Sequence, residues 1–285
     1  MKSNRTSHKG AKAVSQLTIW VLLIIMFVLN VVPILWSLRT SFMTPSEIFK
    51  FPPRWFDFTP SLEHYTRIFK GGYLQTFVNS LLYSAASIIV GLLFGLAAAF
   101  GFDRFKFAFK KPMFYLIVFC IPLSIGSSAL IIPNYIYFSQ IGMLNSWYTL
   151  PLLYIAYNLP MAIWIIKSGV EAIPVEVDEA ALIDGCPRLR YIFGIVSVLC
   201  RPSLAAAALF IFLGAWNEFI LSSIMINSAS LRPVQLAIYQ YLGFFGQEWG
   251  PLTAAASVAI IPAIIIFTFL GRMLVSGLMA GSVKS

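Results

Sequence analysis

Charge is scarce in this sequence. Asp, Glu, Lys and Arg make up 11% of its 285 residues, less than half the roughly 25% usual in a soluble domain. A chain this apolar does not cover its own surface in water. Histidine is nearly absent, with two residues, and the three cysteines, Cys120, Cys186 and Cys200, have no metal-ligand spacing. Cys120 lies in an apolar block and the other two read as cytoplasmic, which argues against a disulfide framework. A glycine-rich phosphate loop is missing too, since Lys167-Ser168 lacks the upstream glycines of a Walker A sequence. No histidine pair or carboxylate pair stands where it would activate water. The chain therefore reads as no enzyme, and no cofactor or metal site is expected in it.

What is present is apolar sequence in long blocks, 59% of the residues. Six segments match the roughly 20 apolar residues that a membrane-crossing helix needs: 17–38, 76–100, 113–132, 148–166, 202–226 and 252–270. They are too long for barrel strands and lack period-2 alternation. The fold class is all-α and polytopic. The first segment exceeds a signal-peptide core, and Arg39-Thr40-Ser41-Phe42 is no cleavage site, so it is expected to stay as a span. The formal charge of +9 suggests loops held inside rather than nucleic-acid binding. With the N-terminus inside, most Lys and Arg fall on cytoplasmic pieces, among them Lys2, Arg5, Lys9, Lys12, Arg104, Lys106, Lys110, Lys111, Lys167, Arg188, Arg190 and Arg201. Fewer fall outside: Lys50, Arg54, Arg67, Lys70 and Arg232. This bias puts both termini in the cytoplasm. The domains expected are a cytoplasmic segment over 1–16, a six-helix membrane domain over 17–273 and a cytoplasmic tail over 274–285.

One cytoplasmic loop, about 171–200, differs from the rest. Pro174 suits the first turn of a helix, and Glu176, Asp178 and Glu179 put negative charge near its positive end. Gly185 can take the left-handed conformation that stops it, and Pro187 starts a second helix carrying Arg188 and Arg190. The short helix offers Ala180, Ala181 and Ile183, with Val177 beside them, as its apolar side. Such a stub is unstable alone. Two dockings stand open from the residues: a partner protein, or the membrane surface and this chain's own cytoplasmic ends.

Glu179-Ala180-Ala181 followed by Asp184-Gly185 resembles the EAA loop of ATP-binding-cassette (ABC) importer permeases. Trp216-Asn217-Glu218-Phe219 resembles the WNEF motif of the sugar permease group. The ending Gly277-Leu278, Ala280-Gly281, Val283-Lys284 is similar to that group's tail. The stretch 163–284 follows the maltose-type permease pattern, and Asn79-Ser80 agrees in the second span. The resemblance implies a type I ABC importer fold and a permease subunit for a sugar or oligosaccharide. It implies a second permease subunit, two ATPase subunits that bind ATP and Mg, and an extracytoplasmic solute-binding protein. The setting implied is the cytoplasmic (inner) membrane of a bacterium or archaeon. Permeases for another solute, such as a polyamine or glycerol phosphate, remain alternatives, as does a gradient-driven carrier. The family has a Leu-Pro step where this chain has Ser197-Val198, so the helix entering the fifth span is expected to straighten.

By the same resemblance Glu179, Ala180, Ala181, Asp184 and Gly185 couple to the ATPase. Trp216, Asn217 and Glu218 are candidates for the sugar pathway. Glu218 is the clearly intramembrane acid, and such a charge faces a cavity or a partner. Pathway and inter-subunit roles both satisfy that. In the last external loop, 227–250, Phe244, Phe245, Gly246 and Gln247 are candidates for contact with the binding protein, and Trp249 fits an interfacial aromatic belt. The tail is implied to approach the ATPase dimer, or is a solvated end.

Overall fold

The computed structural model describes residues 4–52, 55, 57–125, 130–243 and 246–281. In chain order its helices are α1 (Asn4–Thr40), α2 (Pro45–Ile48), α3 (Glu63–Lys70), α4 (Tyr73–Arg104), α5 (Lys110–Ile125), α6 (Ile131–Gln140) and α7 (Thr149–Glu171). There follow α8 (Val175–Ile183), α9 (Arg188–Arg190), a π-helical stretch Tyr191–Val196, α10 (Ser197–Leu199) and α11 (Arg201–Trp216). The chain ends with α12 (Ile220–Met225), α13 (Val234–Tyr239), the strands β1 (Leu242–Gly243) and β2 (Gly246–Gln247), and α14 (Trp249–Gly281).

Among the described residues, four helices are long and apolar enough to cross a membrane: 16–40 within α1, all of α4, all of α7, and 249–273 within α14. Arg188–Leu199 and Arg201–Trp216 together supply a fifth apolar stretch, bent by 88°. The bend answers the expectation of a straightened entry to the fifth span. Losing one proline does not straighten it, because Pro202 stands in the first turn of α11 and cannot donate to the preceding turn. Cys200, at the joint, has φ −97° and ψ 22°. The third expected segment, 113–132, is helical from Lys110 to Ile125 and again from Ile131, with 126–129 outside the described residues.

The chain divides into two compact units. The first joins 1–71 to 241–258. There α2 starts at Pro45, and Thr44 and Glu47 form a capping box in which Glu47 accepts from the Thr44 backbone N–H at 3.3 Å; the Thr44 hydroxyl also donates to Glu47 at 2.9 Å. The buried His64 ring meets the Met43 carbonyl at 2.8 Å and packs so closely on Gly250 that a Cβ there would lie 2.2 Å from the ring. Arg67 pairs with Glu248 at 2.7 Å.

The second unit, 72–240 with 259–285, holds the site. Its core is α4 packed on α7 and α11. Lipid supplies no hydrophobic drive between helices, so close approach of small residues has to bring them together. Gly91 and Gly95 of α4 do this: a Cβ there would sit 2.8 Å from the Ile211 tip and 2.9 Å from the Ile166 tip. At its other end α4 holds a loop. Asn79 donates to the Ser230 and Arg232 carbonyls at 2.7 and 3.0 Å, and Tyr83 to the Leu231 carbonyl at 2.9 Å. Ser80 accepts from the Val234 N–H at 2.7 Å.

Candidate functional site: a membrane cavity and a docked helix

Two places in the second unit carry the residues singled out by sequence. The first is a cavity of about 700 Å³ between α7 and the broken fifth span. The fifth segment does not run unbroken over 202–226. Helix α11 ends at Trp216, and α12 begins at Ile220. Glu218 explains the break. Its carboxylate accepts the N–H groups of Leu221 at 2.5 Å and Ser222 at 3.0 Å, and the Tyr154 hydroxyl donates to it at 3.2 Å. A carboxylate there satisfies two orphan donors and sits at the positive end of α12.

Asn217 is exposed and lines the cavity with Glu218. Trp216 does not line it. It is 2% exposed, its indole N–H donates to the Ala259 carbonyl at 3.1 Å, and its ring stacks on Phe212 at 5.4 Å. The remaining polar wall comes from α7: Tyr154, Tyr157 and Asn158. Sequence reasoning missed these, although polar groups at positions 154, 157 and 158 within an apolar span share one helical face. Asn158 donates to the Tyr154 carbonyl at 2.8 Å, and Gly214 makes room for it, since a Cβ there would lie 2.2 Å from the Asn158 amide oxygen. Phe210, Leu213 and Met161 supply apolar wall. A concave apolar site with a few convergent amide and hydroxyl groups suits a small polar ligand with apolar faces, and its volume lies in the usual range for such sites.

The second place is α8. It ends as the sequence requires: Gly185 has φ +67°, its N–H donates to the Leu182 carbonyl at 3.1 Å, and the Cys186 N–H donates to the Ala181 carbonyl at 3.0 Å. This pair of bonds is a Schellman motif. The apolar side differs from the expected grouping of Ala180, Ala181 and Ile183. A helix turns about 100° per residue, so Ile183 lies about 120° from Val177 and about 160° from Ala181, while Ala180 sits on the flank of the Val177–Ala181 stripe. Val177 and the buried Ala181, at 9% exposure, join a core cluster with Tyr191, Ile192 and Val196. Glu179, Ala180, Asp184 and Gly185 are exposed, as are Leu182 at 66% and Ile183 at 86%. So α8 rests on its own chain with one face and leaves an apolar edge uncovered. Arg104 at the end of α4 fixes it there. Its guanidinium lies 2.6 Å from Asp178 and 2.6 Å from Asp103 and donates to the Ile173 carbonyl at 2.6 Å. The Tyr191 hydroxyl donates to the second Asp178 oxygen.

In the first unit β1 and β2 form a two-stranded hairpin, pairing Gly243 with Gly246. Phe244 and Phe245 lie outside the described residues, while Gly246 and Gln247 form β2. Beside it, burial pushes the Tyr241 phenol above its ordinary range, with the Arg67 guanidinium opposing and the Glu248 carboxylate adding to the shift. Helix α14 extends to Gly281, and Ser282, Val283 and Lys284 of the tail motif lie outside the described residues.

No family model matches the chain. It is 30% identical over 262 residues to a permease protein of a diacetylchitobiose uptake system from Streptomyces coelicolor, covering 92% of this chain and 94% of that one. It is 31% identical over 261 residues to a permease protein of a sulfoquinovosyl glycerol transport system from Agrobacterium fabrum, covering 91% of each. In structure it matches a bacterial ABC transporter that imports the acidic polysaccharide alginate, with TM-score 0.78 and 17% identity, over 92% of this chain and 97% of that chain. That likeness concerns the fold.

Proposed function

The chain belongs to the carbohydrate-type permeases of ABC importers, and on that footing we propose that it is the membrane subunit through which ATP-driven uptake of a sugar or oligosaccharide proceeds. It is a multi-pass membrane protein. In this reading it has six spans over 17–273 and both termini in the cytoplasm of a bacterium or archaeon. It pairs with a second permease subunit and rests on two ATPase subunits, which hold ATP and Mg. An extracytoplasmic binding protein delivers the sugar. The chain hydrolyses nothing itself and binds no cofactor.

The observation that carries the proposal is α8. It is pinned to the end of α4 on one face and bare on the other. An uncovered apolar edge formed by Leu182 and Ile183, beside Glu179, Ala180, Asp184 and Gly185, suits insertion into a cleft of the ATPase. Ala181 supports it from behind. Closure of two ATPases would drag both permeases' docked helices together and turn the cavity from one side of the membrane to the other. In that cavity Asn158, Asn217 and Tyr157 would hydrogen-bond sugar hydroxyls while Phe210 and Leu213 meet ring faces. Glu218 holds the break that shapes the cavity, with Trp216 as packing behind it. Phe244, Phe245, Gly246 and Gln247 would meet the binding protein, and the C-terminal tail would approach the ATPases.

Site-directed cross-linking tests the coupling role. Cysteine at Ile183 or Asp184 should cross-link to a cysteine in the ATPase cleft, while cysteine at Ala181 should not. Cross-linking from Ala181 with none from Ile183 would reverse the assigned faces, and silence from all three would leave α8 without an ATPase partner.

A further inference from the structure

The transport reading assigns α8 to the ATPase and the cavity to the sugar, and leaves open how the two ends of the membrane domain act together. Helix α4 joins them. Its 32 residues carry no internal proline, whereas α1, α5, α7 and α14 contain Pro33, Pro122, Pro160 and Pro262. A proline removes a helical hydrogen bond and admits a kink, and α4 has no such interruption along its length. Its cytoplasmic end grips α8 through Arg104, which touches Asp178 and the Ile173 carbonyl. Its far end grips the loop after α12 through Asn79, which donates to the Ser230 and Arg232 carbonyls. Along the helix axis the two grips lie about 38 Å apart. Between them Gly91 and Gly95 seat α4 on Ile211 of α11 and Ile166 of α7, the two helices that wall the cavity.

We propose that α4 is a rigid strut linking the coupling helix to the external loop at 226–234, with Arg104 and Asn79 as its positioning residues at the two ends. The proposal rests on the transport reading. When α8 moves, the Arg104–Asp178 pair carries α4 with it, and Asn79 carries the loop. Arg104 suits this task better than a lysine would, because a planar fork engages a carboxylate and a carbonyl at once. The pair is also shielded, with side chains 14% and 15% exposed, and without Asp178 the Arg104 guanidinium keeps Asp103 and the Ile173 carbonyl but loses its hold on α8.

A double-mutant cycle on the reconstituted complex tests the strut, with sugar imported per ATP hydrolysed as the readout. Substitutions this far apart ordinarily act independently. Asp178→Asn and Asn79→Ala should each lower the ratio about ten-fold. The double variant should also lie about ten-fold down, not a hundred-fold, because one break already disconnects the strut. Multiplying effects, or single variants that transport normally, overturn the proposal. If either variant prevents assembly, the cycle is run with the milder Arg104→Lys and Asn79→Gln. Failure of these to assemble would make both ends folding contacts and overturn the strut as well. The unaltered complex in the same vesicles reports separately on the transport reading, which fails if its uptake needs no ATP.

Discussion

Replacing Gly185 separates backbone strain from lost contact at α8. Gly185 has φ +67°, and a Cβ built on it meets nothing within 4 Å. A side chain therefore fits the space and is opposed only by the backbone, where the left-handed conformation costs an L residue roughly 1–2 kcal/mol. That cost acts on the turn that closes the two Schellman bonds and holds a nine-residue helix of little stability of its own. A shift of one to two kcal/mol changes the docked population by roughly 5- to 30-fold. The membrane helices do not share the strain. Gly185→Val should reach the membrane in normal amount, and sugar uptake should fall within that range. Gly185→Asn should keep most of the uptake, because asparagine enters the left-handed region far more readily. Uptake assays in vesicles, normalised to the amount of permease by immunoblot, measure both. Equal loss in Val and Asn variants would show that bulk against a partner, not backbone strain, is responsible. Normal uptake by Gly185→Val would remove the motif from the coupling argument.

Glu218→Ala leaves the Leu221 and Ser222 N–H groups without their acceptor, which should cost about 1–2 kcal/mol and lower the unfolding temperature of the purified permease; an unchanged temperature would show the cap is dispensable. Gly214→Ala puts a Cβ 2.2 Å from the Asn158 amide oxygen. It should displace that amide and reduce uptake with assembly intact, and full uptake would place Asn158 outside the pathway. Cys200 is 2% exposed and Cys186 half-buried. Maleimide should thus modify Cys186 well before Cys200 in the native protein and both alike after denaturation, as read by mass spectrometry. Faster modification of Cys200 would contradict the packing at the 88° bend.

The helical membrane class and the helix stop at Gly185 are legible in sequence, because each rests on a local rule: apolar length, or a residue that tolerates positive φ. What was not legible depends on where a side chain turns in three dimensions. The 202–226 segment reads as one apolar run, and nothing in its hydropathy shows that Glu218 folds back to cap the turn after it. Trp216 is a pathway candidate by its motif, yet it is buried and its indole N–H is spent on the Ala259 carbonyl. Tyr154, Tyr157 and Asn158 were visible as polar residues within α7 but carried no motif, so their convergence on the cavity emerged only with the fold. Residue type groups Ala180 and Ile183 with Ala181, but the fold packs only Val177 and Ala181 against the core and leaves the other two exposed.

Sugar accumulation in sealed vesicles holding this permease, its partner permease and the ATPase, with the binding protein outside and ATP inside, is the most direct measurement. The account predicts uptake that requires both the internal ATP and the external binding protein and that vanadate abolishes. Uptake that continues without ATP, or that follows an imposed proton or sodium gradient instead, would contradict it.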